Sequence, residues 1–180
     1  MMKEIRIHGR GGQGSVTAAE LLAVAAFEDG QYSQAFPSFG VERRGAPVVA
    51  FTRIDDKPIR IRSQVYNPDY VIVQDATLMD VVDVAGGIKE DGMMIINTEA
   101  SAEKFEEISA RVMAVDATRI AMDIIGRPII NTVLLGAFAA ATGEIRLKSI
   151  TKAVGERFSG KIGEKNIAAV ETAYNVMERA

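Results

Sequence analysis

Ile5-Arg6-Ile7-His8 runs directly into Gly9-Arg10-Gly11-Gly12-Gln13-Gly14, and Ser15-Val16-Thr17-Ala18-Ala19-Glu20-Leu21-Leu22 follows. The order strand, glycine-rich turn, helix constrains the fold more than any other feature of the chain. Glycine has no Cβ and tolerates positive φ, so the backbone can reverse sharply and come close to a ligand. The first N–H groups of the helix have no partner within it and point back at the turn. Together with the helix dipole they favour a phosphate or carboxylate at that place. Thr17 and Glu20 fit a capping box, which predicts a helix start here.

Gly9, Gly11 and Gly14 match the spacing G-x-G-x-x-G. A dinucleotide site also needs an acidic residue about 20 positions on, at the end of the second strand. The second strand is expected over residues 31–36 and ends in Ala35-Phe36-Pro37, with Glu28 and Asp29 before it rather than after it. No G-K-[ST] follows the turn, so it is not a P-loop. The turn suits an anion, but not NAD or ATP in their usual manner.

A length of 180 residues predicts one domain, 1–180, with a sizeable core. The chain is 48% hydrophobic and 25% charged, a globular rather than disordered balance. A net charge of -3 argues against general nucleic-acid binding. There is no cysteine, which excludes disulfides, thiolate zinc sites and iron–sulfur ligation within the chain. The single histidine, His8, leaves little for a metal site or a Ser-His triad. No basic-then-apolar leader is visible, and the apolar stretch 131–142 is too short to span a bilayer. The expected location is therefore cytoplasmic, with no membrane partner.

The rest of the chain alternates between strand and helix patterns. Strands are predicted over 48–54 and 59–63, as an antiparallel hairpin around Asp55-Asp56-Lys57-Pro58, and over 70–74, 93–97 and 112–115. Helices are predicted over 78–85, 101–108, 118–125, 131–142, 147–158 and 164–177. Proline and glycine make 36–47 a loop. The sum is an α/β fold: a three-layer α/β/α domain with a mixed, mostly parallel, Rossmann-like sheet.

Arg43 and Arg44 lie between Gly40 and Gly45. Adjacent guanidinium forks on a glycine-flanked loop suit phosphate, whereas the plainer reading is a solvated charge pair with Glu42. Asn131 and Asn166 sit near helix starts, where asparagine most simply acts as a cap. His8 could face a ligand from its strand end, but a hydrogen-bonded structural histidine is the simpler expectation. Asp75, Asp80, Asp83 and Asp116 form no paired-acid pattern, and strand-end aspartates commonly cap the next helix. No nucleophile–base pair emerges. The residues describe a binder of an anionic ligand rather than a complete enzyme.

Three blocks carry a family resemblance: the turn Gly9 to Gly14, the helix segment Thr17-Ala18-Ala19-Glu20-Leu21-Leu22, and Gln34-Ala35-Phe36-Pro37-Ser38-Phe39-Gly40-Val41-Glu42-Arg43-Arg44-Gly45-Ala46-Pro47. They closely resemble the gamma subunits of pyruvate:ferredoxin oxidoreductases (pyruvate synthases). Asp69-Tyr70-Val71-Ile72-Val73, Asn131-Thr132 and Lys165-Asn166-Ile167-Ala168-Ala169-Val170 extend the resemblance along essentially the whole chain. The 35–47 block is most similar to the pyruvate and 2-oxoisovalerate branch rather than the 2-oxoglutarate branch.

The resemblance implies a subunit of a complex that oxidatively decarboxylates a 2-oxoacid, makes acyl-CoA and reduces ferredoxin. Thiamine diphosphate, Mg2+ and 4Fe–4S clusters would then belong to partners, namely alpha, beta and ferredoxin-like delta subunits. It also implies a role in binding coenzyme A, carried over by motif to Gly12, Gln13, Gly14, Ser15, Val16, to Arg43 or Arg44, and to Asn131 and Asn166. Coenzyme A bears a pyrophosphate and a 3′-phosphate, which match a helix start plus arginines. Two competing readings are a free-standing nucleotide-binding reductase and a structural assembly subunit whose glycine turn packs on a partner.

Overall fold

The computed structural model describes residues 1–38 and 43–180. The middle of the expected 36–47 loop, and with it the proposed Glu42 partner of the arginines, lies outside the described residues. The elements are β1 (Lys3–Arg10), α1 (Ser15–Glu28), β2 (Tyr32–Pro37), β3 (Pro47–Asp55), β4 (Tyr70–Val73), β5 (Met93–Asn97), β6 (Arg111–Val115), α2 (Ala117–Ile124), α3 (Ile130–Thr142), α4 (Leu147–Arg157) and α5 (Gly160–Glu178).

The strands form one sheet in the order β2-β3-β1-β4-β5-β6. β1, β4, β5 and β6 are mutually parallel, and β3 is antiparallel to both β1 and β2. Only β3 thus runs against the rest, and the sheet is mixed and mostly parallel as expected. β4 and β5 are nearly continuous apolar runs because a parallel strand is covered on both faces. Alternation along the strands then makes two cores. Ile5, Ile7, Ile72 and Ile95 face the helices, with Leu22, Val133, Leu134 and Phe138 among their partners. Val71, Val73, Met94 and Ile96 face the other way, onto Leu78 and Val84. Each such side chain contributes roughly 1.5–3 kcal/mol when fully buried.

α3 is the central helix, and every residue from Ile130 to Ala139 is buried. Its close approach to α5 requires Gly136, where a Cβ would overlap the backbone carbonyl of Val170.

Four expectations need correction. Residues 59–63 are not a strand, because β1 and β2 already occupy both edges of β3. The stretch is tied to the sheet by a side chain instead: Arg53 Nη2 donates to the carbonyls of Ser63 (2.7 Å) and Gln64 (3.2 Å). The helices expected at 78–85 and 101–108 are short 3₁₀ turns, Ala76–Asp80 and Ala102–Phe105. Asp75 and Ser101 cap them, and the Arg6 guanidinium takes the Val84 and Gly86 carbonyls where a longer helix would have run. The second covering layer is therefore thinner than expected. The capping box is absent: Gly14, at φ 75°, caps α1, and Thr17 lies inside the helix. Finally, neither asparagine is an N-cap, since Asn131 is inside α3 and Asn166 lies well within α5.

This topology places the site. The chain leaves β1 towards the helical face through α1, and leaves β4 towards the opposite face through the 3₁₀ turn. Adjacent parallel strands whose connections diverge open a crevice at their carboxyl ends.

Candidate functional site

A cleft of about 770 Å³ lies at that point, above the carboxyl ends of β1, β4 and β5. Its near edge is the glycine turn. Gln13 folds back on the turn: its N–H donates to the Arg10 carbonyl at 2.9 Å, and its Oε1 accepts from the Arg10 N–H at 2.7 Å. Gly12 and Gly14 adopt φ 95° and 75°, which a side chain would strain. The first closed turn of α1 is Ala18 N–H to Gly14 O, at 2.9 Å. The N–H groups of Ser15, Val16 and Thr17 precede it and remain available to an anion.

The arginine loop packs directly on this turn. Gly11 N–H donates to the Ala46 carbonyl at 2.8 Å, and Gly45 N–H donates to the Gly11 carbonyl at 3.0 Å. Residue 11 must be glycine for this, because a Cβ would overlap the Arg43 carbonyl. Arg43 and Arg44 are exposed, neither is among the residues that line the cleft, and neither forms an ion pair among the described residues.

Arg10 locks the arrangement from the side. Its Nε donates to Asp75 Oδ2 (2.8 Å), its Nη2 to Thr77 Oγ1 (2.7 Å) and its Nη1 to the Gly45 carbonyl (3.1 Å). Burial raises the Asp75 carboxyl, but hydrogen bonds from Thr77 and Arg10 outweigh it and hold the group below the usual range.

On the far side, Asn131 Nδ2 donates to the Gly14 carbonyl at 3.3 Å. Asn97 Nδ2 donates to the Gln74 backbone carbonyl and to Thr118 Oγ1, both at 2.9 Å. Glu99, Asp116 and Arg157 line the cleft here, along with apolar Ile129 and Phe158. The Asp116 side chain caps α2 by accepting from Arg119 N–H. The glycine end offers free N–H donors to an anion, whereas the far wall carries charge of both signs.

Beneath the cleft, His8 is buried and accepts at Nε2 from Arg6 Nε, 3.0 Å away. Burial, reinforced by the Arg6 charge, pushes its pKa down to about 3. His8 is therefore a neutral structural acceptor, as the simpler expectation had it.

Of the residues singled out from the sequence, Gly12, Gln13, Gly14, Asp75, Asp116 and Asn131 line the cleft. Ser15 is buried at the base of α1, and the Val16 side chain packs into the helical core, leaving its N–H at the turn. Asn166 lies inside the helical layer, 1% exposed: its Oδ1 accepts from Thr132 Oγ1 (2.7 Å) and its Nδ2 donates to the Ile162 carbonyl (2.8 Å). Sequence reasoning missed Gln74 and the lateral bonds of Arg10. The available signal was the abrupt polar pair Gln74-Asp75 after the apolar run of β4.

Among the described residues no group of three or more metal-ligating side chains converges, and no helix is long and apolar enough to cross a membrane.

Residues 4–176 match the family described as Pyruvate ferredoxin/flavodoxin oxidoreductase. The pyruvate synthase subunit PorC of Methanosarcina barkeri is 72% identical over 154 residues, 85% of each chain. The pyruvate/ketoisovalerate oxidoreductases common subunit gamma of Thermococcus kodakarensis is 58% identical, covering 97% of this chain and 96% of its own length. Among solved structures, the pyruvate oxidoreductase subunit PORC of Thermotoga maritima superposes with a TM-score of 0.86 at 39% identity, over 97% of this chain and 96% of that one. A 2-oxoglutarate:ferredoxin oxidoreductase of Magnetococcus marinus, solved with 2-oxoglutarate, coenzyme A and succinyl-CoA bound, shares the fold at a TM-score of 0.83 and 16% identity, over 99% of this chain and 31% of that one.

Proposed function

This chain belongs to the pyruvate ferredoxin/flavodoxin oxidoreductase family as a gamma subunit, and from that premise we propose that its cleft binds coenzyme A and helps to close the active site of a pyruvate synthase complex. The complex converts pyruvate and coenzyme A to acetyl-CoA and CO2 and passes electrons to ferredoxin. The carrying observation is the pair of backbone bonds on Gly11, which docks the Arg43–Arg44 loop against the glycine turn that leads into α1. Backbone N–H groups at the start of α1 and two exposed arginines on the loop docked against the turn are the donor types that a pyrophosphate with a further phosphate requires.

In this reading Gly12 to Val16 supply backbone donors, and Arg43 and Arg44 supply charge. Asn131 fixes the turn through Gly14, and Asn166 acts one step back, by holding Thr132 and hence the start of α3. No residue of the cleft forms a nucleophile–base pair, so the subunit contributes position: it presents one substrate to chemistry carried out elsewhere. The chain has no cysteine and offers no thiolate to an iron–sulfur cluster. Thiamine diphosphate, Mg2+ and 4Fe–4S clusters fall in this reading to alpha, beta and delta subunits, with ferredoxin as the acceptor of the complex.

The dinucleotide alternative is disfavoured by topology. A ribose-binding carboxylate belongs at the end of the strand reached from α1, lying parallel beside β1; here that strand, β2, sits at the sheet edge beyond antiparallel β3 and ends in Pro37, while Asp75 after β4 is taken by Arg10. A second reading of the substrate has specific support: the Thermococcus kodakarensis relative is named as common to pyruvate and ketoisovalerate enzymes. Purifying the native complex and assaying coenzyme A-dependent ferredoxin reduction with a panel of 2-oxoacids tests both readings. Pyruvate turnover by the complex and none by the isolated chain is expected. Activity of the isolated chain would overturn the proposal.

A further inference from the structure

Beneath the glycine turn lie buried polar groups that have no partner among the described residues. Gln74 follows β4 directly, lines the cleft and is 1% exposed, yet neither Oε1 nor Nε2 of its side chain has a hydrogen-bond partner. Ser15, the first residue of α1, is 3% exposed, and its Oγ is also without a partner. Buried polar atoms left unpaired are costly and uncommon in native proteins. The two side chains are neighbours: both come within 3.3 Å of the point that a Cβ on Gly9 would occupy. Gly9 therefore lacks a side chain because the Ser15 hydroxyl and the Gln74 carboxamide fill its place.

Ser15 is the first residue of α1, so its hydroxyl and the neighbouring Gln74 carboxamide lie next to the helix start, where the N–H groups of Ser15, Val16 and Thr17 are free. All of them are uncharged. The Arg10 guanidinium is committed to Asp75, Thr77 and Gly45, Arg43 and Arg44 are exposed on the loop bonded to Gly11, and Arg157 lines the cleft beside Phe158.

We propose that Gln74 and Ser15 form a second recognition element, a neutral buried floor that hydrogen-bonds the singly charged phosphate oxygens of a pyrophosphate. The exposed Arg43–Arg44 rim is left to the doubly charged terminal phosphomonoester. The division follows from charge. A diester-type phosphate carries one charge per phosphorus and is satisfied by neutral donors with a helix dipole. A monoester approaches two charges at neutral pH and calls for arginine. This inference rests on the coenzyme A reading and divides that ligand between floor and rim.

The test uses the assembled enzyme with two probes, coenzyme A and 3′-dephospho-coenzyme A, which lacks the monoester. Gln74→Met, close in volume and without the amide, is expected to weaken both probes equally, by about tenfold. Arg43→Ala combined with Arg44→Ala is expected to weaken coenzyme A alone, so that the two probes bind alike. Because the amide has no partner within the protein, the Gln74→Met complex should unfold at the same temperature as the parent or above it. Unchanged affinity for both probes in Gln74→Met, with a weakened coenzyme A in the arginine variant, means the floor holds only water, and the inference falls while the coenzyme A reading stands. If all variants leave both probes untouched, the coenzyme A reading falls as well. A lowered unfolding temperature with intact affinity makes Gln74 purely structural and overturns the inference. Should Gln74→Met not assemble, Ser15→Ala carries the same comparison, with equal weakening of the two probes expected and unequal or absent weakening contradicting it.

Discussion

Arg10 Nε donates to Asp75 Oδ2 at 2.8 Å, and this bond ties the glycine turn after β1 to the wall that follows β4. Through Nη1 the same guanidinium holds the Gly45 carbonyl, so turn, wall and arginine loop share one support. Replacing Arg10 by alanine should free the loop and raise the coenzyme A KM several-fold, at a stability cost of about 1 kcal/mol for this half-exposed group. Asp75 is held below its usual range, so its contribution is complete above that range and lost as pH falls through its lowered pKa. Arg10→Ala should reduce this acid sensitivity, with the Thr77 hydrogen bonds retaining the rest, measured as the pH dependence of thermal unfolding below about pH 4. An unaltered profile and KM would show that Arg10 supports nothing.

The glycines of the turn should respond differently to alanine. At Gly12 a Cβ meets open space, with Arg44 Cγ 4.0 Å away, so only the φ of 95° is strained, at about 1–2 kcal/mol. At Gly14 a Cβ would also meet Asn131 Nδ2 at 2.5 Å, and at Gly11 it would overlap the Arg43 carbonyl. The expected order of destabilisation is Gly12→Ala least, then Gly14→Ala, with Gly11→Ala greatest because backbone must move. Unfolding temperatures of the three variants check it, and a reversed order would contradict the packing described for the loop.

His8 makes the fold acid-sensitive in a window of its own. Its pKa is lowered from 6.5 to about 3 by burial and by Arg6. Between those values the unfolded chain holds a proton that the folded chain does not, so stability rises with pH there and is complete above 6.5. Acidification from pH 6.5 to 4.5 should cost up to about 1.4 kcal/mol per pH unit. Denaturant unfolding across that range measures the slope. A flat profile would mean His8 titrates normally and is not buried as described.

Asn166 is satisfied on both ends inside the helical layer. Asn166→Ala leaves the Thr132 hydroxyl without its acceptor and should cost about 1–3 kcal/mol of stability. At temperatures where the variant is folded, the coenzyme A KM should change far less than for the arginine pair. A large KM effect without destabilisation would put Asn166 in direct contact with the ligand.

The sequence made the chemistry of the near rim visible and hid its supports. The turn from Gly9 to Gly14 could be read because glycine spacing and a following helix are local signals. For Gln74 and Arg10 the only local signal was the polar pair Gln74-Asp75 after the apolar run, because their roles depend on β4 lying beside β1, a pairing 65 positions apart for Arg10 and Asp75. The same limit explains the false strand at 59–63. Ile59 and Ile61 alternate with arginines as a half-buried strand would, but the place beside β3 belongs to β2. Arg53, buried at 1% exposure and bonded to Glu4 and the Ser63 and Gln64 carbonyls, breaks the rule that arginine lies outside, and no local pattern announces it. Thr17 and Glu20 imitated a capping box because that pattern ignores the φ of 75° already adopted by Gly14.

The central claim is that the Arg43–Arg44 loop and the start of α1 form the coenzyme A site. Its most direct test is the coenzyme A KM of the assembled enzyme carrying Arg43→Ala and Arg44→Ala, with the pyruvate KM measured in parallel. Loss of charge-assisted phosphate bonds, each worth about 1.5–3 kcal/mol, should raise the coenzyme A KM tenfold or more and leave the pyruvate KM nearly unchanged. An unchanged coenzyme A KM, or an equal rise in both, would contradict the account.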